Sequence, residues 1–323
     1  MRAPGRAALK PSARAQLGKT SLHVTRLGLG SAPLGGLFEE VADDEAHRVV
    51  EAAWQAGIRF FDTAPLYGHG LAEQRLGAVL RAKPRDEFVL ATKVGRLLRG
   101  DAPPEPGQAY KGVPPVNPIF DFSYDGVMRS VEESLGRLGL DRVDVLHIHD
   151  PDEHFEEALA GAYRALDRLR AEGTIKAVGA GMNQAEMLVR FAREADFDCF
   201  LLAGRYTLLD RIGAAELLPL CVEKSIAIIA GGVFNSGILA NPNPGATFNY
   251  QPAPPELVQR ALRMQEMCAR HGVELKAAAI QFPLRHPAVA SVLTGCRSVR
   301  EVEENVRMFQ APIPSALWDE LDT

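Results

Sequence analysis

Four residues in three short stretches are of types that handle protons near neutral pH: Asp62 and Tyr67 in FDTAPLYGHG, Lys93 in ATKVG and His149 in HIHDPD. A tyrosine, with an ordinary pKa of about 10, works as acid and base near neutrality when a neighbouring cation favours its phenolate. Lys93 is the cation at hand. Asp62, by pairing with the lysine, offsets the cost of burying it. His149, as a neutral imidazole, can hydrogen-bond a carbonyl or alcohol oxygen and fix its orientation. Together the four suit moving a proton on and off a carbonyl oxygen. Singly, each has a plainer use: Asp62 as a turn or cap residue, Tyr67 as packing, Lys93 as a solvated strand end.

Such residues need elements that bring them to one place. Eight short apolar runs read as strands, over 25–30, 58–63, 87–93, 142–149, 175–181, 199–204, 226–231 and 290–295. Amphipathic patterns between them read as helices, over 43–56, 71–82, 124–138, 155–171, 184–194, 212–223, 255–283 in two pieces, and 298–308. Several stop at a glycine in the C′ position, as at Gly57, Gly139, Gly173 and Gly272. Near-continuous apolar strands belong to a sheet covered on both faces, and parallel strands need helical crossovers. Eight βα units without a linker-like break predict an α/β chain closed into one (β/α)8 TIM barrel, with 15–323 as a single domain. In a barrel the strands' carboxyl ends carry the chemistry. The four residues follow the second, third and fourth strands, and that co-occurrence favours the chemical reading over the plainer ones.

The basic stretch 1–14 lacks an apolar segment and reads as a disordered leader. Residues 15–24 suit a hairpin closing the barrel bottom. Two proline-rich segments, 101–122 and 240–255, each lie between a strand and a helix, on the face where substrates bind. Their aromatics predict packing against a ligand, so Tyr110, Phe120 and Tyr250 join Tyr67 and His149 as candidates to touch substrate.

Composition excludes several classes. The 323 residues carry 36 Lys and Arg against 41 Asp and Glu, a net charge of −5, which points away from nucleic acid and anionic membranes and towards a small-molecule partner. Cys199, Cys221, Cys268 and Cys296 form no CxxC pair, and a reduced cytoplasm is the expected compartment. No apolar run approaches the roughly 20 residues of a spanning helix. Nothing in the sequence sets the oligomeric state.

Competing sites use some of the same residues. His147 and His149 share one strand face, a spacing used by metal-dependent hydrolases. The other histidines, His23, His47, His69, His154, His271 and His286, end no later strand, so no metal is expected. Lys93 could form a Schiff base in an apolar pocket, but Asp62 would keep it charged. The loops at 28–36 and 179–184 lack G-x-G-x-x-G, which leaves a Rossmann domain unsupported. Gly30, Ser31 and Ala32 instead allow close backbone approach to a flat ring or phosphate. GGVFNSG, holding Gly231, Gly232, Phe234, Asn235, Ser236 and Gly237, and TGCRS, holding Gly295 and Arg297, follow the seventh and eighth strands, where barrels commonly hold phosphate.

From LGLGSAPLGG to RSVREVEENV the chain resembles the aldo-keto reductases, most specifically in FDTAPLYGHGLAEQRLG, ATKVG, DRVDVLHIHDPD and GTIKAVGAGMNQ. The resemblance implies a barrel oxidoreductase using NAD or NADP, with Asp62, Tyr67, Lys93 and His149 as its tetrad and Tyr67 as the acid/base. It gives the carboxamide contact to Asn183, since Gly181 and Met182 stand where Ser-Asn is usual, and adds Asn305 to the cofactor residues. Ala203 and Gly231 replace the usual glutamine and stacking tyrosine, with Phe234 a substitute for the latter. These departures are similar to bacterial sugar 1-dehydrogenases of the L-fucose or D-threo-aldose type and to pyridoxal 4-dehydrogenases. They imply oxidation of an aldose C1 hydroxyl to a lactone. Pyridoxal oxidation, general aldehyde or ketone reduction and a non-catalytic NAD(P)H-binding regulator are the alternatives. Gly295, Cys296 and Glu301 stand where NADP-preferring members present cations, which favours NAD, although Arg297 can still pair with a phosphate.

Overall fold

The protein is described by a computed structural model covering residues 9–104 and 109–322. Eight parallel strands, numbered here β1 to β8, close into a barrel. They are β1 Leu27–Gly30, β2 Phe60–Asp62, β3 Val89–Val94, β4 Val145–His149, β5 Ala177–Met182, β6 Cys199–Ala203, β7 Ala227–Gly231 and β8 Val289–Gly295. Each pairs with the next, and β8 pairs with β1. β3 is buried along its whole length, as a strand must be that faces helices on one side and the barrel interior on the other. Helices fill the crossovers, among them Asp43–Gln55, Leu71–Leu80 and Tyr124–Leu138, and Val299–Gln310 follows β8. The predicted barrel is therefore the fold.

Departures from the sequence reading have local causes. Over 212–223, a 3-10 turn at Ile212–Ala214 precedes a helix confined to Leu217–Glu223. Pro219 has no amide hydrogen and would clash with the carbonyl four residues back, so it fits only in a first helical turn. A last helix, Ser315–Leu321, was not anticipated; it follows two prolines and buries Leu317 and Leu321. The proline-rich segments are not plain loops. Arg96–Arg99 pairs antiparallel with Asn117–Phe120, and Thr247–Phe248 with Gln251–Pro252. A two-stranded ribbon is all edge, which is why Pro118 is tolerated in it.

At the barrel bottom Arg14–Gln16 pairs with His23–Thr25, and the fully buried Leu17 and Val24 pack on inward side chains such as Phe60, Ala91 and Val145. Of the expected leader, residues 1–8 lie outside the described residues. Residues 9–13 lead into the hairpin, with Pro11 buried and the Ala13 amide donating to the Lys10 carbonyl at 2.9 Å. The placed chain thus begins before residue 14. Among the described residues no helix is long and apolar enough to cross a membrane.

Candidate active site

Alternation along the strands selects which side chains look into the barrel. Asp62 stands at the end of β2, Lys93 near the end of β3 and His149 at the end of β4, and register pairs Asp62 with Ala91, Lys93 with His147 and His149 with Gly181. Adjacent mouths therefore supply the three groups. The Lys93 ammonium donates to Asp62 Oδ1 at 2.6 Å and to the Thr63 carbonyl at 2.8 Å, and both charged side chains are buried. Burial pushes the Asp62 carboxyl above its usual range, and the Lys93 charge opposes that shift.

Tyr67 arrives from the turn after β2, where its amide donates to the Ala64 carbonyl at 3.1 Å. Gly35 lies flush against that turn; a Cβ there would stand 2.6 Å from the Gly68 amide nitrogen, so the 3-10 turn Ala32–Gly35 can press on Tyr67 only without a side chain. The Lys93 Nζ sits 4.6 Å from the Tyr67 ring centre, and the His149 ring meets Tyr67 edge-on at 5.7 Å. The four sequence candidates thus converge.

Electrostatics divide them. Burial, with the Lys93 and Arg96 charges adding, holds His149 well below 6.5, so its imidazole is neutral as expected. His147, a layer below, is pushed down to about 3 by burial. Tyr67 goes the other way: burial first, then the Asp62 and Asp150 carboxylates, raise it well above 10, with only Arg96 opposing. The pull towards phenolate expected from Lys93 is outweighed: burial is the largest influence on Tyr67, and it favours the phenol.

Tyr67, Lys93 and His149 line a cavity of about 260 Å³ with Ala32, Tyr110, Gly181, Asn183, Ala203, Tyr250 and Asp150. A phenol and a neutral imidazole facing one cavity can share a single oxygen as donor and acceptor. Tyr110 and Tyr250 are in the wall as predicted, and Asn183 is too. Phe120 is not: nearly half exposed, it stacks on Phe122 at 5.7 Å beneath the Arg96 guanidinium. Phe234 does not line the cavity either; its ring packs against the core, 5.4 Å from the Lys276 ammonium.

Sequence reasoning missed Asp150 and Arg96. The acid is visible in HIHDPD, but its positive φ of 43°, rare for a residue with a side chain, is not. Arg96 reaches the mouth on the ribbon, 3.4 Å from Asp150 Oδ2. Burial lifts the Asp150 carboxyl to about 6, Arg96 opposing and Asp152 adding.

The remaining cofactor candidates rim the same face, and several fit a flat, polar dinucleotide. A Cβ on Gly30 would make only ordinary contacts, 3.9 Å from the Leu293 Cβ, and Gly237, at φ 108°, has nothing within 4 Å. Ser31 Oγ, Arg297 Nε and Asn305 Oδ1 are buried without a hydrogen-bond partner among the described residues, as at a surface that a polar ligand completes. Asn235 fits less well. Its amide bridges Thr207 at 2.5 Å and the Gly204 carbonyl at 3.0 Å, locking the loops after β6 and β7 together. Gly231 and Gly232 begin that loop, and the Ser236 Oγ accepts from the Tyr250 amide at 3.0 Å, tying the 240–255 segment down. Gly295 packs on the Pro33 ring.

A profile of the Aldo/keto reductase family matches residues 26–323. The chain is 46% identical to D-threo-aldose 1-dehydrogenase of a Pseudomonas species, over 93% of this chain and 94% of that one. It is 45% identical to pyridoxal 4-dehydrogenase of Microbacterium luteolum, over 97% of each. Among solved structures, an aldo-keto reductase of Bacillus halodurans in its holo form superposes with a TM-score of 0.77 at 26% identity, over 96% of this chain and 95% of that one. With the barrel, the converged mouth residues and a family match running from β1 to the end of the chain, the protein belongs to the aldo/keto reductase family and is an NAD(P)-dependent oxidoreductase.

Proposed function

We propose that this enzyme oxidises the C1 hydroxyl of a cyclic aldose, of the L-fucose or D-threo-aldose type, to the lactone. The observation that carries the reading is the set of polar groups that stand beside the Tyr67–His149 pair in a wall otherwise built of residues such as Leu37, Leu66 and Leu201. Tyr110, Tyr250, Asn183 and Asp150 offer hydroxyl, amide and carboxylate groups to a substrate rich in hydroxyls. The relative at 46% identity, named for such a reaction, supports it.

In this mechanism His149 donates a hydrogen bond to, and orients, the C1 oxygen, and Tyr67 exchanges the proton of that oxygen. Asp62 and Lys93 hold each other in place beneath Tyr67, keeping a buried positive end near its ring. A bound NAD(P) would supply the hydride acceptor for C1. Gly30, Ser31 and Ala32 after β1, Asn183 after β5, Gly231, Gly232, Ser236 and Gly237 after β7, and Gly295, Arg297 and Asn305 after β8 are the residues assigned to hold it. NAD is the preferred form in this reading. The surface hollow beside Arg297 is lined by Glu39, Glu40, Glu45 and Glu301, and an acid-rich wall disfavours the additional phosphate of NADP. Residues 15–323 act as one catalytic domain. A reducing cytoplasm is in keeping with four buried, unpaired cysteines.

The test is a panel of initial rates on L-fucose, D-arabinose, L-galactose and pyridoxal, each with NAD and with NADP at equal low concentration. The expected outcome is highest kcat/KM on an aldose with NAD. Preference for pyridoxal would move the assignment to the chemistry of the 45% relative. Faster rates with NADP would overturn the cofactor assignment.

A further inference from the structure

Asp150 has no part in the proton transfer just described, yet it occupies the same cavity wall. About a third of its side chain is exposed. Its backbone holds a φ of 43°, with the amide donating to the Gly181 carbonyl at 3.1 Å. Aspartate tolerates positive φ better than most residues with a Cβ, and in this conformation Asp150 lines the cavity. Asp150 Oδ2 lies 3.5 Å from His149 Nε2 and 3.4 Å from Arg96 Nη2. The Arg96 contact is long for a charge-assisted bond, so the carboxylate keeps accepting capacity for other donors.

From this geometry we infer that Asp150 is a specificity-determining residue, which accepts a hydrogen bond from the C2 hydroxyl of the sugar and selects 2-hydroxyaldoses over 2-deoxy sugars. The inference rests on the aldose reading above. The His149 nitrogen and the Asp150 oxygen, 3.5 Å apart, are close enough for each to meet one of two oxygens on adjacent ring carbons. When His149 holds the C1 oxygen, the next hydroxyl falls to Asp150. An ionised carboxylate only accepts, so it rewards a hydroxyl and gives nothing to a methylene hydrogen. Left facing a 2-deoxy position, it would lose solvent without gaining a partner.

The experiment measures kcat and KM on L-fucose and 2-deoxy-L-fucose with NAD, for wild type, Asp150→Ala and Asp150→Asn. It is run at about pH 8, where Asp150, held near 6, is ionised. Binding of NADH, followed by fluorescence, identifies which variants are folded. Wild type should favour L-fucose by on the order of 10- to 100-fold in kcat/KM, and Asp150→Ala should lose about as much on L-fucose, chiefly through KM. The two penalties should not add, because both delete one hydrogen bond. Asp150→Asn, which keeps one acceptor oxygen, should fall between and carries the test if the alanine variant does not fold. Additive penalties, or variants that match wild type on both sugars, would overturn the role of Asp150 and leave the aldose reading intact. A wild type inert on every aldose would overturn that reading and this inference with it.

Discussion

The mouth residues work through what each side chain's surroundings do to its proton. Asp62, Tyr67, Lys93 and His149 were legible in the sequence because strand alternation fixes which residues look inward and barrel topology fixes which ends meet. The state of Tyr67 was not legible, since it is set first by how deeply its ring is buried and then by the carboxylates around it. Nor was Asp150, whose role depends on a backbone angle that its sequence neighbours do not announce. A phenol at rest has a kinetic consequence. Oxidation needs the phenolate to take the C1 proton, and below the raised Tyr67 pKa the phenolate fraction grows tenfold per pH unit. The kcat/KM for aldose oxidation should therefore climb about tenfold per unit from about pH 7 to 9, while reduction of the lactone or an aldehyde, which uses the phenol, stays level or falls. A level oxidation profile in steady-state rates would remove Tyr67 as the base.

At the scale of elements, the strands and most helices follow from apolar period and glycine stops, because both report burial directly. The proline-rich segments resisted that logic. Their pairing rests on contacts with other segments, Phe120 beneath Arg96 of the facing strand and Tyr250 beside Phe38 at 5.9 Å, and not on any period of their own. The bottom hairpin separates stability from catalysis. Leu17 is fully buried in the lower barrel layer with Phe60 and Ala91, at the opposite end from Tyr67. Leu17→Ala should lower unfolding free energy by about 2–5 kcal/mol in denaturant titration, the usual range for a core leucine. Its KM values should stay at wild-type level, and a changed KM would show that the plug also shapes the mouth.

For the whole molecule, one closed barrel accounts for the length of the chain, and with a net charge of −5 the proposed cofactor assignment relies on local groups such as Arg297 and the loop backbones. Side chains from three consecutive strand ends meet through strand pairing, and the curve of the barrel completes the cavity with residues of later strands such as Gly181 and Ala203. The central claim is that proton transfer at this mouth passes through Tyr67, and it is tested most directly by turnover of L-fucose with NAD in Tyr67→Phe, beside NADH binding by the same variant. The account predicts a loss in kcat on the order of 10²- to 10⁴-fold with cofactor binding retained; turnover within a few-fold of wild type would contradict it.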